Sequence, residues 1–167
     1  MIQIKKTDRS CFEMYDSVSQ NVDVRSEYRI KRIDGGLGGF VFEEAAVDPY
    51  VKDLSVYERA MEYEREFDIS HWSFYMAFDD EKPVGAMTIA AREPKLYMLS
   101  GREDACVLWD IRVADAYKHR GIGQQMLDMS IEEARANGYR QMIIECARTI
   151  MFLPADFIKS RERYYRK

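Results

Sequence analysis

The stretch from Cys106 to Glu145 limits the fold more than any other part of this chain. Cys106 to Val113 (Cys-Val-Leu-Trp-Asp-Ile-Arg-Val) is largely apolar at its start and reads as a strand near the centre of a sheet. From Gly123 the spacing becomes helical: Leu127, Ile131 and Ala134 fall on one stripe, with Met126 beside it. Asn137-Gly138 ends that helix, because glycine takes the left-handed position beyond a helix without steric cost. Met142 to Glu145 then reads as another strand. Strand, glycine turn, helix and strand in that order predict a parallel pair joined by a crossover helix. The expected fold class is α/β (α+β): a mixed central sheet with the crossover helix following the glycine turn.

The remaining segments supply the other strands. Ile2 to Lys6 alternates apolar and polar residues and predicts a first strand. Ser10 is expected to cap a short helix carrying Phe12, Met14, Tyr15 and Val18. Tyr28 to Ile33 and Phe40 to Phe42 predict strands around Asp34-Gly-Gly-Leu-Gly-Gly39, whose glycines allow the positive φ of a hairpin turn. Pro49 to Asp68, rich in Glu, Arg, Met and Tyr, predicts a helix with a charged face. Trp72 to Phe78 and Val84 to Ala91 predict an antiparallel pair across the turn Asp79 to Pro83. No repeat, low-complexity tract or linker interrupts the 167 residues, so residues 1–167 are expected to form one domain.

Composition removes several function classes. Hydrophobic residues make up 47% and charged residues 32%, the balance of a soluble globular protein. No apolar run reaches spanning length, and Met1 to Lys6 lacks the apolar stretch of a signal peptide, so neither a membrane nor export is expected. The cysteines Cys11, Cys106 and Cys146 show no CxxC spacing, and two His in no HxxxH pattern argue against zinc. A reduced, cytoplasmic protein without a metal is the expectation. With 25 basic against 29 acidic residues the net charge is -4, which gives no electrostatic reason to expect nucleic acid.

The chemistry concentrates in Tyr117-Lys118-His119-Arg120-Gly121-Ile122-Gly123-Gln124, between the buried strand and the helix. Glycines let the backbone approach a ligand, and the helix N-terminus adds unpaired N–H donors and partial positive charge, so a pyrophosphate is favoured there. Lys118 and Arg120 bring full charges to the rim. A P-loop would need Lys and Ser/Thr where Gln124 and Gln125 stand. A dinucleotide fingerprint would need a third small residue where Met126 stands, although Glu145 has the spacing of a ribose-binding acid. The third reading is coenzyme A.

Asp110-Ile111-Arg112-Val113, four further residues and Lys118-His-Arg-Gly-Ile-Gly123 resemble motif A of the GNAT acetyltransferases, Arg/Gln-x-x-Gly-x-Gly/Ala after a hydrophobic strand, with Lys118 at the Arg/Gln position. The resemblance covers Trp72 to Glu145 well and the first 70 residues loosely. It implies a GNAT fold and acetyl coenzyme A as cosubstrate. It implies that Lys118, His119, Arg120, Gly121, Ile122, Gly123 and Gln124 hold the pyrophosphate, while the strand Ile111, Arg112 and Val113 pairs with the pantetheine arm. It further implies a carboxylate on that strand as general base, for which Asp110 is the candidate; a structural carboxylate is the alternative. Streptothricin acetyltransferases, to which Asp48-Pro49-Tyr50-Val51-Lys52 and the strand pair before it are also similar, carry Glu where Trp109 stands.

Other reactive residues read as bland. His119 suits a solvated or phosphate-rim role, His71 a strand cap, and Cys106 and Cys146 have no matched His. The acidic series Glu43, Glu44, Asp48, Asp53, Glu58 and Glu62 could attract a polycation, but a solvated helix face accounts for it. The tail from Cys146 departs from the family, which continues through an Asn-rich loop and a helix bearing Tyr. A one-base shift of the segment Ala147 to Arg161 reads Gln-Asn-Asn-Asn-Val-Pro-Ala-Cys-Arg-Phe-Tyr-Gln-Lys-Gln-Gly under synonymous codons, so a frameshifted end is expected. The open sheet edge this would leave could be covered by a homodimer. The expected activity is acetylation of a primary amine on a small cationic molecule of the streptothricin kind. A coenzyme A-binding protein with impaired catalysis and a protein N-acetyltransferase are the rivals.

Overall fold

The computed structural model describes residues 1–144; the expectations for Glu145, Cys146 and the tail lie outside them. In chain order the elements are β1 (Ile2–Thr7), α1 (Phe12–Asp16), β2 (Asn21–Arg32), β3 (Phe40–Asp53), α2 (Tyr63–Glu66), β4 (Ser73–Asp79), β5 (Lys82–Ala91), β6 (Ala105–Val113), α3 (Ile122–Ala136) and β7 (Gln141–Ile144). The described chain divides into two compact units: Met1–Gln20 with the residues from Asp53 onward, and Asn21–Lys52.

The larger unit is built on a five-stranded sheet in the order β1-β4-β5-β6-β7. Its first three pairings are antiparallel, and β6 and β7 run parallel from Ala105↔Gln141 to Leu108↔Ile144. The sheet is therefore mixed, with α3 as the crossover between the parallel strands. α3 buries Ile122, Met126, Leu127, Ser130 and Ala134, so Ser130 shares the stripe that apolar spacing alone gave to Ile131. Gly85 lets the helix close on β5, since a Cβ there would lie 3.1 Å from Met126 Cε and 3.2 Å from Ala77 Cβ. The helix ends as its sequence dictates: Gly138 has φ 79°, and Gly138 N–H and Tyr139 N–H donate to Arg135 and Ala134 carbonyls.

In the hydrophobic core Phe12, Tyr15, Val18, Tyr63, Trp72, Phe74 and Met76 pack with Ala86, Ala90 and Val107. The short helix α1 is entered through a 3-10 turn, Arg9–Cys11, whose cap is Asp8 rather than Ser10; the Asp8 carboxylate accepts from Ser10 N–H at 2.8 Å. No long helix forms over Pro49 to Asp68. β3 continues to Asp53, then come a 3-10 turn (Ala60–Glu62) and the four-residue α2. Pro49 lies in a two-stranded ribbon, where a missing N–H need not break a ladder on both sides. Asp53 then accepts from Ser55 N–H and hydroxyl at 2.9 and 2.6 Å, turning the chain out of the strand. The charged residues of this stretch follow no apolar period, so nothing would hold a long helix against the core.

In the smaller unit β2 and β3 form a hairpin, closed by Ile33 N–H donating to the Gly39 carbonyl at 3.1 Å. Among the described residues no helix is long and apolar enough to cross a membrane, and no group of three or more His, Cys, Asp or Glu is placed to hold a metal ion.

Candidate active site

A bulge in β6 sets the site. Thr88 pairs with Asp110 and Ile89 with Leu108, so Trp109 is an extra residue on β6. Strict alternation would send Trp109 and Asp110 to opposite faces. The bulge brings both to the α1 and α2 face: the Trp109 ring lies 5.6 Å from Phe67 and 5.8 Å from Trp72, and Asp110 meets Tyr15 of α1. Arg112, two residues on, faces the same way.

Asp110 is fully engaged there. Its Oδ2 accepts from Arg112 Nη2 at 2.5 Å, Arg112 Nε at 2.8 Å and the Tyr15 hydroxyl at 2.9 Å, and its Oδ1 accepts from Gln20 Nε2 at 2.8 Å. The Tyr15 hydroxyl also pairs with Thr88 Oγ1 at 2.8 Å, and the Arg112 guanidinium sits 5.0 Å over the Tyr15 ring. Both members of the ion pair have side chains at 0% exposure. Burial pushes the Asp110 carboxyl upward against the pull of Arg112 and Tyr15. Burial also opposes the Arg112 charge, but the carboxylate outweighs it and keeps the guanidinium protonated.

A second carboxylate has an open side. Glu58, half-buried, accepts from Trp109 Nε1, and its backbone carbonyl accepts from Arg112 Nη2 at 3.5 Å. Burial pushes its carboxyl above the ordinary glutamate range, against the Trp109 hydrogen bond. Glu58 lines a cavity of about 380 Å³ with Asp16, Ser55, Val56, Arg59 and Arg112. A half-buried carboxylate at such a cavity is placed to accept a proton from an amine that enters it. The sequence signal for it was Trp109 itself: an indole N–H at a strand position implies an acceptor delivered from elsewhere in the chain. The rest of the acidic series disperses. Glu43 pairs with Lys31, Glu44 accepts from Ser26, and Asp53 caps its turn.

Among the described residues β7 pairs with β6 from Ala105 to Leu108, and Trp109 to Val113, including Ile111, Arg112 and Val113, run on to the predicted turn. Val113 Cγ2 lies 3.7 Å from where a Cβ on Gly123 would stand, and α3 begins at Ile122. Gly121 takes φ 79° with nothing within 4 Å of an added Cβ, and the first helical bond is Gln125 N–H to the Gly121 carbonyl. The N–H groups of Ile122, Gly123 and Gln124 thus belong to the helix's first turn, without intrahelical acceptors. His119 also has positive φ, 60°. Lys118 pairs with Asp115 at 2.6 Å, and Arg120 stacks 4.8 Å over the Tyr117 ring. Cys106 is buried, with its thiol pushed up to about 11 by burial, which suits packing rather than nucleophilic work.

Comparison with known proteins identifies the family and the fold. The sequence profile described as the Acetyltransferase (GNAT) family matches residues 40–150. Among solved structures, nourseothricin acetyltransferase superposes with a TM-score of 0.67 at 18% identity, over 97% of this chain and 81% of that one. A Bacillus anthracis str. Ames protein assigned as a streptothricin acetyltransferase, solved with acetyl coenzyme A, gives 0.65 at 12% identity, over 98% and 82%. AAC(6')-Iy, solved with the bisubstrate analog CoA-S-monomethyl-acetylneamine, gives 0.50 at 12%, over 98% and 88%. At these identities the superpositions establish a shared fold. No curated protein matches the sequence.

Proposed function

Because this chain belongs to the GNAT acetyltransferase family, we propose that it transfers the acetyl group of acetyl coenzyme A to a primary amine of a small cationic molecule. The observation that carries this reading is the course of β6, whose Trp109 donates to Glu58 at the cavity and whose Val113 lies against the glycine turn. Backbone groups between the two suit the amides of a pantetheine arm as an added strand would. The turn suits the pyrophosphate, with Gly121 leaving room and the N-terminal N–H groups of α3 supplying donors. Lys118, His119 and Arg120 would line its rim.

In the reaction Glu58 accepts a proton from the ammonium form of the acceptor. The freed amine nitrogen bonds to the acetyl carbon, the carbon–sulfur bond breaks, and the second proton of that nitrogen passes to the departing thiolate, leaving the amide and coenzyme A, while Glu58 returns its proton to solvent. Trp109 holds the Glu58 carboxylate by its indole N–H, and the Asp110–Arg112 pair fixes the bulge that presents Trp109. We assign Asp110 this positioning role, because its oxygens already accept four hydrogen bonds. Streptothricin is the first acceptor to test, given the nourseothricin and streptothricin acetyltransferases among its structural relatives. Thiol release from acetyl coenzyme A should depend on streptothricin, and calorimetry should register coenzyme A binding. Binding without release from any small amine would instead favour the coenzyme-binding rival.

A further inference from the structure

The smaller unit carries an apolar face outward. In the β2–β3 ribbon the Tyr28 and Phe42 rings meet edge to face at 6.2 Å, and the Ser26 hydroxyl donates to Glu44 at 2.6 Å, so these four residues share one face. Side chains two apart along a strand point the same way, which adds Ile30, Arg32 and Phe40 to that face. Lys31 and Glu43 pair on the other. Towards the hairpin turn the first face therefore reads Glu44 beside Ser26, Phe42 beside Tyr28, Phe40 beside Ile30, then Arg32. Its four apolar side chains are open to solvent, at 37% for Tyr28, 48% for Ile30, 59% for Phe40 and 61% for Phe42. A two-stranded ribbon is marginally stable in water unless its apolar face is covered, and a contiguous patch of this kind marks an interaction surface.

We propose that this face is covered by the same face of a second copy of the chain, in a two-fold dimer with the ribbons stacked face to face. The order of residues selects that occupant. Two apolar rows lie between an acid, Glu44, and a base, Arg32, both exposed. A two-fold axis through the middle of the patch and across the strands sets apolar rows on apolar rows, with Arg32 against the partner's Glu44 at both ends. An axis along the strands would set Arg32 on Arg32 and Glu44 on Glu44, which repel. The area is sufficient. Three aromatic rings and one isoleucine at these exposures offer about 400 Å² per protomer. With the charged rims two copies bury about 1,000 Å², where specific interfaces begin.

The test reads mass rather than turnover, so it is independent of the acetyl transfer proposed above. Sedimentation of the full chain over a micromolar concentration series should show a monomer–dimer equilibrium. Phe42→Lys should keep the circular dichroism of the wild type and raise the dimer Kd about 30-fold or more, the loss of one aromatic anchor. Arg32→Glu and Glu44→Arg each set like charges opposite one another and should raise Kd about tenfold. The double swap restores the opposite charges and should recover most of the affinity. A wild type that stays monomeric would assign the face to another occupant and overturn the proposal. So would a dimer indifferent to Phe42→Lys, or a double swap no tighter than the single variants. If a variant misfolds, the wild-type mass and the remaining variants decide.

Discussion

At the scale of single residues, the two carboxylates of the site differ in what surrounds them. Asp110 lies inside a closed network, and removing its charge strands the Arg112 guanidinium in the core. Asp110→Asn should therefore destabilise the protein by roughly 3 kcal/mol, measured by denaturant unfolding, before any effect on turnover is considered. Glu58 has no such structural debt. Glu58→Gln should leave the unfolding midpoint nearly unchanged and lower kcat by about 10²- to 10⁴-fold. Its pH signature follows from direction alone. The carboxyl is raised by burial, and only its ionised form accepts a proton, so the rate should fall as pH drops through that raised value. Trp109→Phe removes the hydrogen bond that favours the ionised form, so this acidic limb should move to higher pH. An unchanged limb in that variant would remove Trp109 from the mechanism.

Among the elements, α3 is tied to the sheet by one polar knot as well as by its apolar stripe. Glu133 accepts from Lys6 of β1 at 2.7 Å and from Ser73 of β4 at 2.8 Å. Burial works against its charge, but Lys6, Ser73 and Tyr75 outweigh it and hold the carboxyl down to about 2. A depressed carboxylate contributes stability above its unfolded pKa of about 4.3 and loses it as pH falls through the folded value. Lys6 is largely solvated, so screening keeps the contribution near 1 kcal/mol. Glu133→Ala should cost about that much at pH 7 in thermal unfolding, with the gap to wild type closing towards pH 2. A gap that is constant with pH would mean that packing, not charge, fixes the helix there.

For the molecule as a whole, the net charge of -4 favours the approach of a cation, while at the cavity the carboxylates of Asp16 and Glu58 are matched by Arg59 and Arg112. With a cationic acceptor, kcat/KM should fall roughly two- to tenfold between about 0.01 and 0.5 M salt, because the Debye length shrinks below the reach of those charges. An uncharged acceptor should show no such trend.

The sequence by itself determined the parts whose signal is local. The apolar run of β6, the glycines of the turn, the period of α3 and the Asn137-Gly138 stop each depend on neighbours a few residues away, and together they specify the mixed sheet and its family. Tertiary structure decided the rest, for reasons of distance along the chain. Pro49 to Asp68 carried charge without an apolar period, so its course followed the ribbon and the buried Ala60 and Tyr63 rather than helix propensity. The bulge at Trp109 depends on a register with β5, which no local pattern encodes. Without that bulge Trp109 would not meet Glu58 51 residues away, and Asp110 would not be enclosed by Tyr15, Gln20 and Arg112. A strand fixes where its backbone runs; which carboxylate is free to take a proton is settled only when side chains from α1, the loop before α2 and β6 compete for the same donors.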